Sequence, residues 1–100
     1  MLFADRIRQL REQKQMPQRQ LAAALEIDTA TYCKIERGER RAKREQVSIL
    51  ANLLETDKDL LSNLWLAEQI YSVVKDEKNA EKVLDIVHES LIEYKSGFKK

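Results

Sequence analysis

The chain has 100 residues, enough for one modest hydrophobic core, and its 2 Gly and 1 Pro among many Leu, Ala, Glu, Lys, Arg and Gln predict an all-helical fold. The formal net charge of +1 hides a division: residues 1–44 hold 11 Lys or Arg against 6 Asp or Glu, whereas residues 45–100 hold 7 against 11. The basic half suits a polyanionic partner, the single cysteine, Cys33, excludes an intramolecular disulfide, and the absence of an apolar run long enough for a secretory signal or a membrane span points to the cytoplasm.

Phe3, Ile7 and Leu10 recur at helical spacing with Arg6, Arg8, Gln9 and Glu12 between them, which predicts a first amphipathic helix from residue 3 to about 14. Pro17 suits the first turn of a short second helix, where no amide hydrogen is needed, and Leu21, Ala22 and Leu25 give that helix its apolar face. Asp28 is placed to cap a third helix through Thr29, Tyr32 and Ile35, which Gly38 ends in a left-handed conformation. Val47, Leu50, Ala51 and Leu54 mark a fourth helix, and Thr56 with Asp59 three residues later predicts a capping box opening a fifth. From Leu60 the apolar positions are dense, then fade through KDEKNAEK at 75–82, which predicts a helix break near Asp76 to Asn79. The alternative is one helix of about 40 residues, spanning about 60 Å. Beyond it, Ala80, Leu84, Val87, Leu91, Tyr94 and Phe98 alternate by four and three, the seam of a helix that packs on another helix.

The stretch MPQRQLAAALEIDTATYCKIERGERR, residues 16–41, resembles the Cro/C1-type (XRE) helix-turn-helix transcriptional regulator family, most specifically in QRQLA at 18–22 and YCKIERGERR at 32–41. The resemblance covers residues 3 to about 61. It implies a five-helix lambda-repressor-like DNA-binding domain over residues 1–61. Residues 62–100 lie outside the resemblance, and their apolar spacing predicts a helical extension that packs on that domain and supplies a dimer contact. Leu21, Ala22, Leu25, Ile27, Tyr32 and Ile35 then form the inner faces of the motif, and Thr29, Ala30, Thr31, Cys33 and Lys34 face base edges in the major groove. Lysine can donate to guanine, and alanine or threonine methyls can pack on thymine. Gln18, Arg37, Arg40, Arg41, Lys43 and Arg44 are expected on phosphates, and Arg11 with Glu36 as a salt bridge between the first and third helices that orients the recognition helix.

This sequence departs from the family's pattern at three places. Glu26 replaces the usual turn glycine, so that either Glu26 is left-handed at a cost of about 1 kcal/mol or the turn is built differently. Pro17 stands where a Ser or Thr cap is common, and Ala42 near where a proline often precedes the fourth helix.

No nucleophile–base pair, metal-ligand cluster or glycine-rich phosphate loop is legible, so neither catalysis nor a cofactor is expected. Cys33 reads as a small residue on a helix face, and His88 has no second ligand residue beside it. Because a five-helix module closes its core by about Leu61, the later Leu64, Trp65, Ile70, Val73, Val74, Leu84, Val87, Leu91 and Tyr94 form a surplus. Some are expected to pair within the chain as a hairpin, and Leu64, Trp65, Leu84, Val87, Leu91 and Tyr94 to form a dimer interface. The resemblance thus implies a homodimeric regulator of a two-fold symmetric DNA operator, of the kind found at restriction-modification or phage-like loci, with any small-molecule effector left open. The competing reading is an antitoxin-type module whose C-terminal helices hold a protein partner while the N-terminal domain binds its own promoter.

Overall fold

The computed structural model describes residues 2–98, with the backbone alone for Phe98. Among these residues there are six helices and no strand: α1 (Phe3–Gln13), α2 (Gln18–Ala24), α3 (Thr29–Glu36), α4 (Arg44–Leu53), α5 (Lys58–Val74) and α6 (Ala80–Phe98). The chain forms two compact units, the first ending at Gln69 and the second beginning at Ile70, so the division falls within α5.

In the first unit the residues that repeat at helical spacing are the ones buried. Phe3 and Ile7 of α1, Leu21 and Ala22 of α2, Tyr32 and Ile35 of α3, and Val47, Leu50 and Ala51 of α4 converge with Leu61 of α5 into one core. Leu10, Met16, Ile27, Leu53 and Leu64 pack against it from the edges. Trp65, expected at a subunit interface, is instead 8% exposed in this core, where its indole Nε1 donates to the Ala42 carbonyl at 2.8 Å. A buried indole needs such an acceptor, and Ala42 supplies it from the segment before α4. The core therefore extends past Leu61, and the amide of Ala4 donating to Glu68 Oε2 at 3.1 Å ties α1 to α5 further along still.

The helix ends follow one rule. After α1, α2, α3 and α4 the chain turns through Gln15, Glu26, Gly38 and Glu55 at φ of 55, 58, 76 and 55°. In each case the next amide returns to a carbonyl five residues back, as Ile27 N to Ala22 O at 3.0 Å and Glu39 N to Lys34 O at 2.9 Å. These are left-handed caps that satisfy the last carbonyls of a helix, and three of the four use a residue with a Cβ. Pro17 stands one residue before α2 as its cap, at φ −74 and ψ 153. At the start of α5 the cap falls on Asp57, whose Oδ1 accepts from the Asp59 amide at 3.3 Å, and not on Thr56, whose own amide closes the end of α4 on Ala51 O.

In the second unit the chain leaves α5 after Val74, turns through Lys75–Asn79 and enters α6 at Ala80, so the break stands in the polar run. Of its apolar surplus Val74 is buried, whereas Ile70, Val73, Leu84, Val87, Leu91 and Tyr94 are exposed.

Candidate nucleic-acid interface

Two short helices and the turn between them carry the candidate site. α2 ends by the left-handed route at Glu26, φ 58°, which decides between the two alternatives left by the departure from glycine: the backbone is left-handed and the side chain is exposed. Asp28 then caps α3, its Oδ1 accepting the Thr31 amide at 2.6 Å, and that bond holds the Asp28 carboxyl below its ordinary range. Only Leu25–Asp28 separate the helices, so the orientation of α3 is fixed by the turn and by the packing of Leu21, Ala22, Tyr32 and Ile35.

Beneath α3 a polar chain joins three helices. Arg11 of α1 donates from Nε to Glu36 Oε2 at 2.6 Å and from Nη2 to Glu36 Oε1 at 3.1 Å, and from Nη1 to the Met16 carbonyl at 2.9 Å. Gln18 of α2 donates from Nε2 to Glu36 Oε1 at 3.0 Å, while its Oε1 accepts from Cys33 Sγ at 3.1 Å. Glu36 is 3% exposed. Burial alone would raise its carboxyl, but the hydrogen bonds of Arg11, then Gln18, outweigh burial and hold it ionised below the usual range. The Tyr32 hydroxyl is buried beside the same carboxylate without reaching hydrogen-bond geometry to any group, and burial followed by the nearby negative charge keeps the phenol protonated.

The opposite face of α3 is open. Thr29, Ala30 and Lys34 are exposed, and Thr31 and Cys33 are half-buried at its margins. Downstream, Arg40, Arg41 and Lys43 are exposed and form no ion pair among the described residues, whereas Arg37 is held by Glu39, Nε to Oε2 at 2.8 Å. Arg44 lies over the Trp65 ring at 4.8 Å from its centroid. That contact engages the guanidinium charge without consuming its N–H donors, so Arg44 keeps its capacity for a phosphate. Trp65 thus holds both ends of a short segment, Ala42 by its N–H and Arg44 by its ring. Beside it an open polar cleft includes Arg44, Glu45, Lys58 and Asp59, whose charges balance.

A helix-turn-helix domain family matches the chain over residues 2–64. The chain belongs to that family. No curated protein and no solved structure matches it. A helix-turn-helix domain implies DNA binding, and among the described residues no helix is long and apolar enough to cross a membrane and no group of three or more His, Cys, Asp or Glu could hold a metal ion.

In this helix-turn-helix domain Thr29, Ala30, Lys34, Arg40, Arg41 and Lys43 share an accessible stretch of chain, from the start of α3 to the start of α4. Three residues stand differently from their sequence expectation. Gln18 spends its carbonyl and one amide hydrogen inside the domain, leaving one hydrogen for a further acceptor. Arg37 must give up Glu39 before it can serve a phosphate, and Trp65 belongs to the basic segment's support instead of to a subunit contact. The roles of Trp65 and Glu39 had only indirect signals: a tryptophan needs an acceptor when buried, and Arg37 and Glu39 are close in sequence but not at helical pairing distance.

Proposed function

We propose that this protein is a sequence-specific transcriptional regulator that binds a two-fold symmetric operator as a homodimer in the cytoplasm. α3 enters the major groove, with Thr29, Ala30 and Lys34 at base edges and Thr31 and Cys33 beside them, and Arg40, Arg41, Lys43 and Arg44 lie on the flanking phosphates with Gln18 and Arg37 as secondary contacts. The observation that carries this reading is the open outer face of α3, continuous with a basic segment whose Arg40, Arg41 and Lys43 form no ion pair among the described residues. Unpaired cations at that place gain by displacing counterions from a duplex, while paired ones would not. Support for the dimer comes from Leu84, Val87, Leu91 and Tyr94, apolar and exposed at a helix-packing spacing. A restriction-modification or phage-like locus is the setting that the Cro/C1-type resemblance suggests.

The test is a salt titration of duplex binding. Wild type should lose affinity linearly on a log–log plot, and Arg40→Ala with Arg41→Ala should flatten the slope by about 0.9 for each phosphate no longer neutralised. An unchanged slope would place the phosphate contacts elsewhere on the domain.

A further inference from the structure

α6 is an amphipathic helix, and every residue from Glu81 to Gly97 is exposed. Its apolar seam runs through Ala80, Leu84, Val87, Leu91 and Tyr94, with Leu84 at 39% and Tyr94 at 66% exposure. Spacing by four and three places these side chains on one stripe, with Glu81, His88 and Lys95 along one edge and Val83, Ser90 and Gly97 along the other. Ile86 and Ile92 lie off the stripe and take no part.

The charges on the first edge decide what covers the seam. They run negative, uncharged, positive at seven-residue intervals, from Glu81 through His88 to Lys95. In an antiparallel helix pair each edge meets the same edge of its neighbour, and a second copy of α6 presents this sequence reversed. Glu81 then faces the partner's Lys95, Lys95 faces the partner's Glu81, and His88 faces its own counterpart at the two-fold axis. The same register stacks Leu84 on the partner's Tyr94 and Val87 on the partner's Leu91, a larger residue against a smaller one in each layer. A parallel pair would set Glu81, His88 and Lys95 against Val83, Ser90 and Gly97, with no charge pair at all. We propose that α6 pairs antiparallel with the α6 of a second copy of this chain, in the register that joins Glu81 to the partner's Lys95. The proposal rests on the homodimer reading above and specifies its geometry.

Charge reversal in two separate proteins tests it. E81K carries Lys at 81 and 95, and K95E carries Glu at both. Each homodimer has two repulsive contacts, whereas the mixed dimer has two attractive ones. The changes in helix-end electrostatics are the same in the mixture as in the two homodimers averaged, so they cancel. K82E and E89K, on the face opposite the seam, make the same charge changes and serve as the control pair. Sedimentation equilibrium of the full chains, alone and mixed, should show E81K and K95E each dimerising about tenfold more weakly than wild type. Their mixture should form heterodimers about tenfold more tightly than the mean of the two homodimers, and the control mixture should show no preference beyond the statistical one. No preference in the E81K and K95E mixture, or an equal preference in the control, overturns the antiparallel register while a wild-type dimer preserves the homodimer reading. A wild-type chain that is monomeric at micromolar concentration overturns the homodimer reading itself and hands the seam to a heterologous partner, as an antitoxin would have.

Discussion

Arg11→Met tests whether the polar chain under α3 holds the recognition helix in place. The substitution keeps the aliphatic stem but removes the bidentate contact to Glu36 and the bond to the Met16 carbonyl, while the Gln18 bond stays on a carboxylate of a residue that is 3% exposed. Breaking a fully buried ion pair on one side costs about 3–5 kcal/mol. The Arg11 side chain is 13% exposed, so water reaches the pair from one side and the lower end, about 3 kcal/mol, is expected. For a domain of this size that lowers Tm by about 12–24 °C. The sign with pH is distinctive. In wild type the Glu36 carboxyl is held below its unfolded value, so its contribution is fully present above the ordinary carboxylate range and is lost as pH falls through the depressed value. In Arg11→Met burial dominates and raises the same carboxyl, so protonation relieves the mutant as pH falls. The Tm gap between the two proteins should therefore narrow from pH 7 to pH 4. Arg11→Met with Glu36→Met, which removes both charges, should recover most of the loss. A gap below about 1 kcal/mol at pH 7, or one that is the same at both pH values, would mean that the Arg11–Glu36 pair does not hold α3 in place.

Trp65→Phe keeps a ring under Arg44 but leaves the Ala42 carbonyl buried without its donor, and should cost about 1–3 kcal/mol in urea denaturation; no loss would remove Trp65 as the support of the basic segment. Glu26→Gly should stabilise by about 0.5–1 kcal/mol, because glycine accepts the left-handed conformation at φ 58 without a Cβ penalty, and a lower urea midpoint would contradict that. Lys34→Ala and Thr29→Ala should each change which operator bases matter, weakening discrimination at the affected base pair by about 1–3 kcal/mol, whereas Arg40→Ala should weaken all sequences alike; binding selections with the three variants check both outcomes.

Much of this fold is legible in the sequence, and the reasons where it is not are specific. The core of α1 to α4 follows from spacing alone, because Phe3, Ile7, Leu21, Tyr32, Ile35, Val47 and Leu50 can meet only if each helix turns one face inward. Asp28 and Gly38 mark the limits of α3 by ordinary cap chemistry. The ends of α1, α2 and α4 are hidden because Gln15, Glu26 and Glu55 do in the left-handed region what glycine usually does. Trp65 shows a second limit: periodicity marks a residue as needing burial but does not say whether its own chain or another will bury it. Leu64 packs beside Trp65 on the core of the first unit, whereas Leu84, Val87, Leu91 and Tyr94 stay exposed, and all six read alike in the sequence. At the candidate site the charges are legible and their engagements are not. Nothing in ERGERR separates Arg37, tied to Glu39, from Arg40 and Arg41, which are exposed without an ion pair among the described residues.

Selecting duplexes from a random pool with the full-length protein at physiological salt decides whether α3 binds an operator sequence-specifically. The selected pool should be enriched in a two-fold symmetric sequence whose half-site centres lie about one helical turn, about 10–10.5 base pairs, apart. A pool that stays random after repeated selection, or an enriched site that Lys34→Ala and Thr29→Ala both select unchanged, would contradict it.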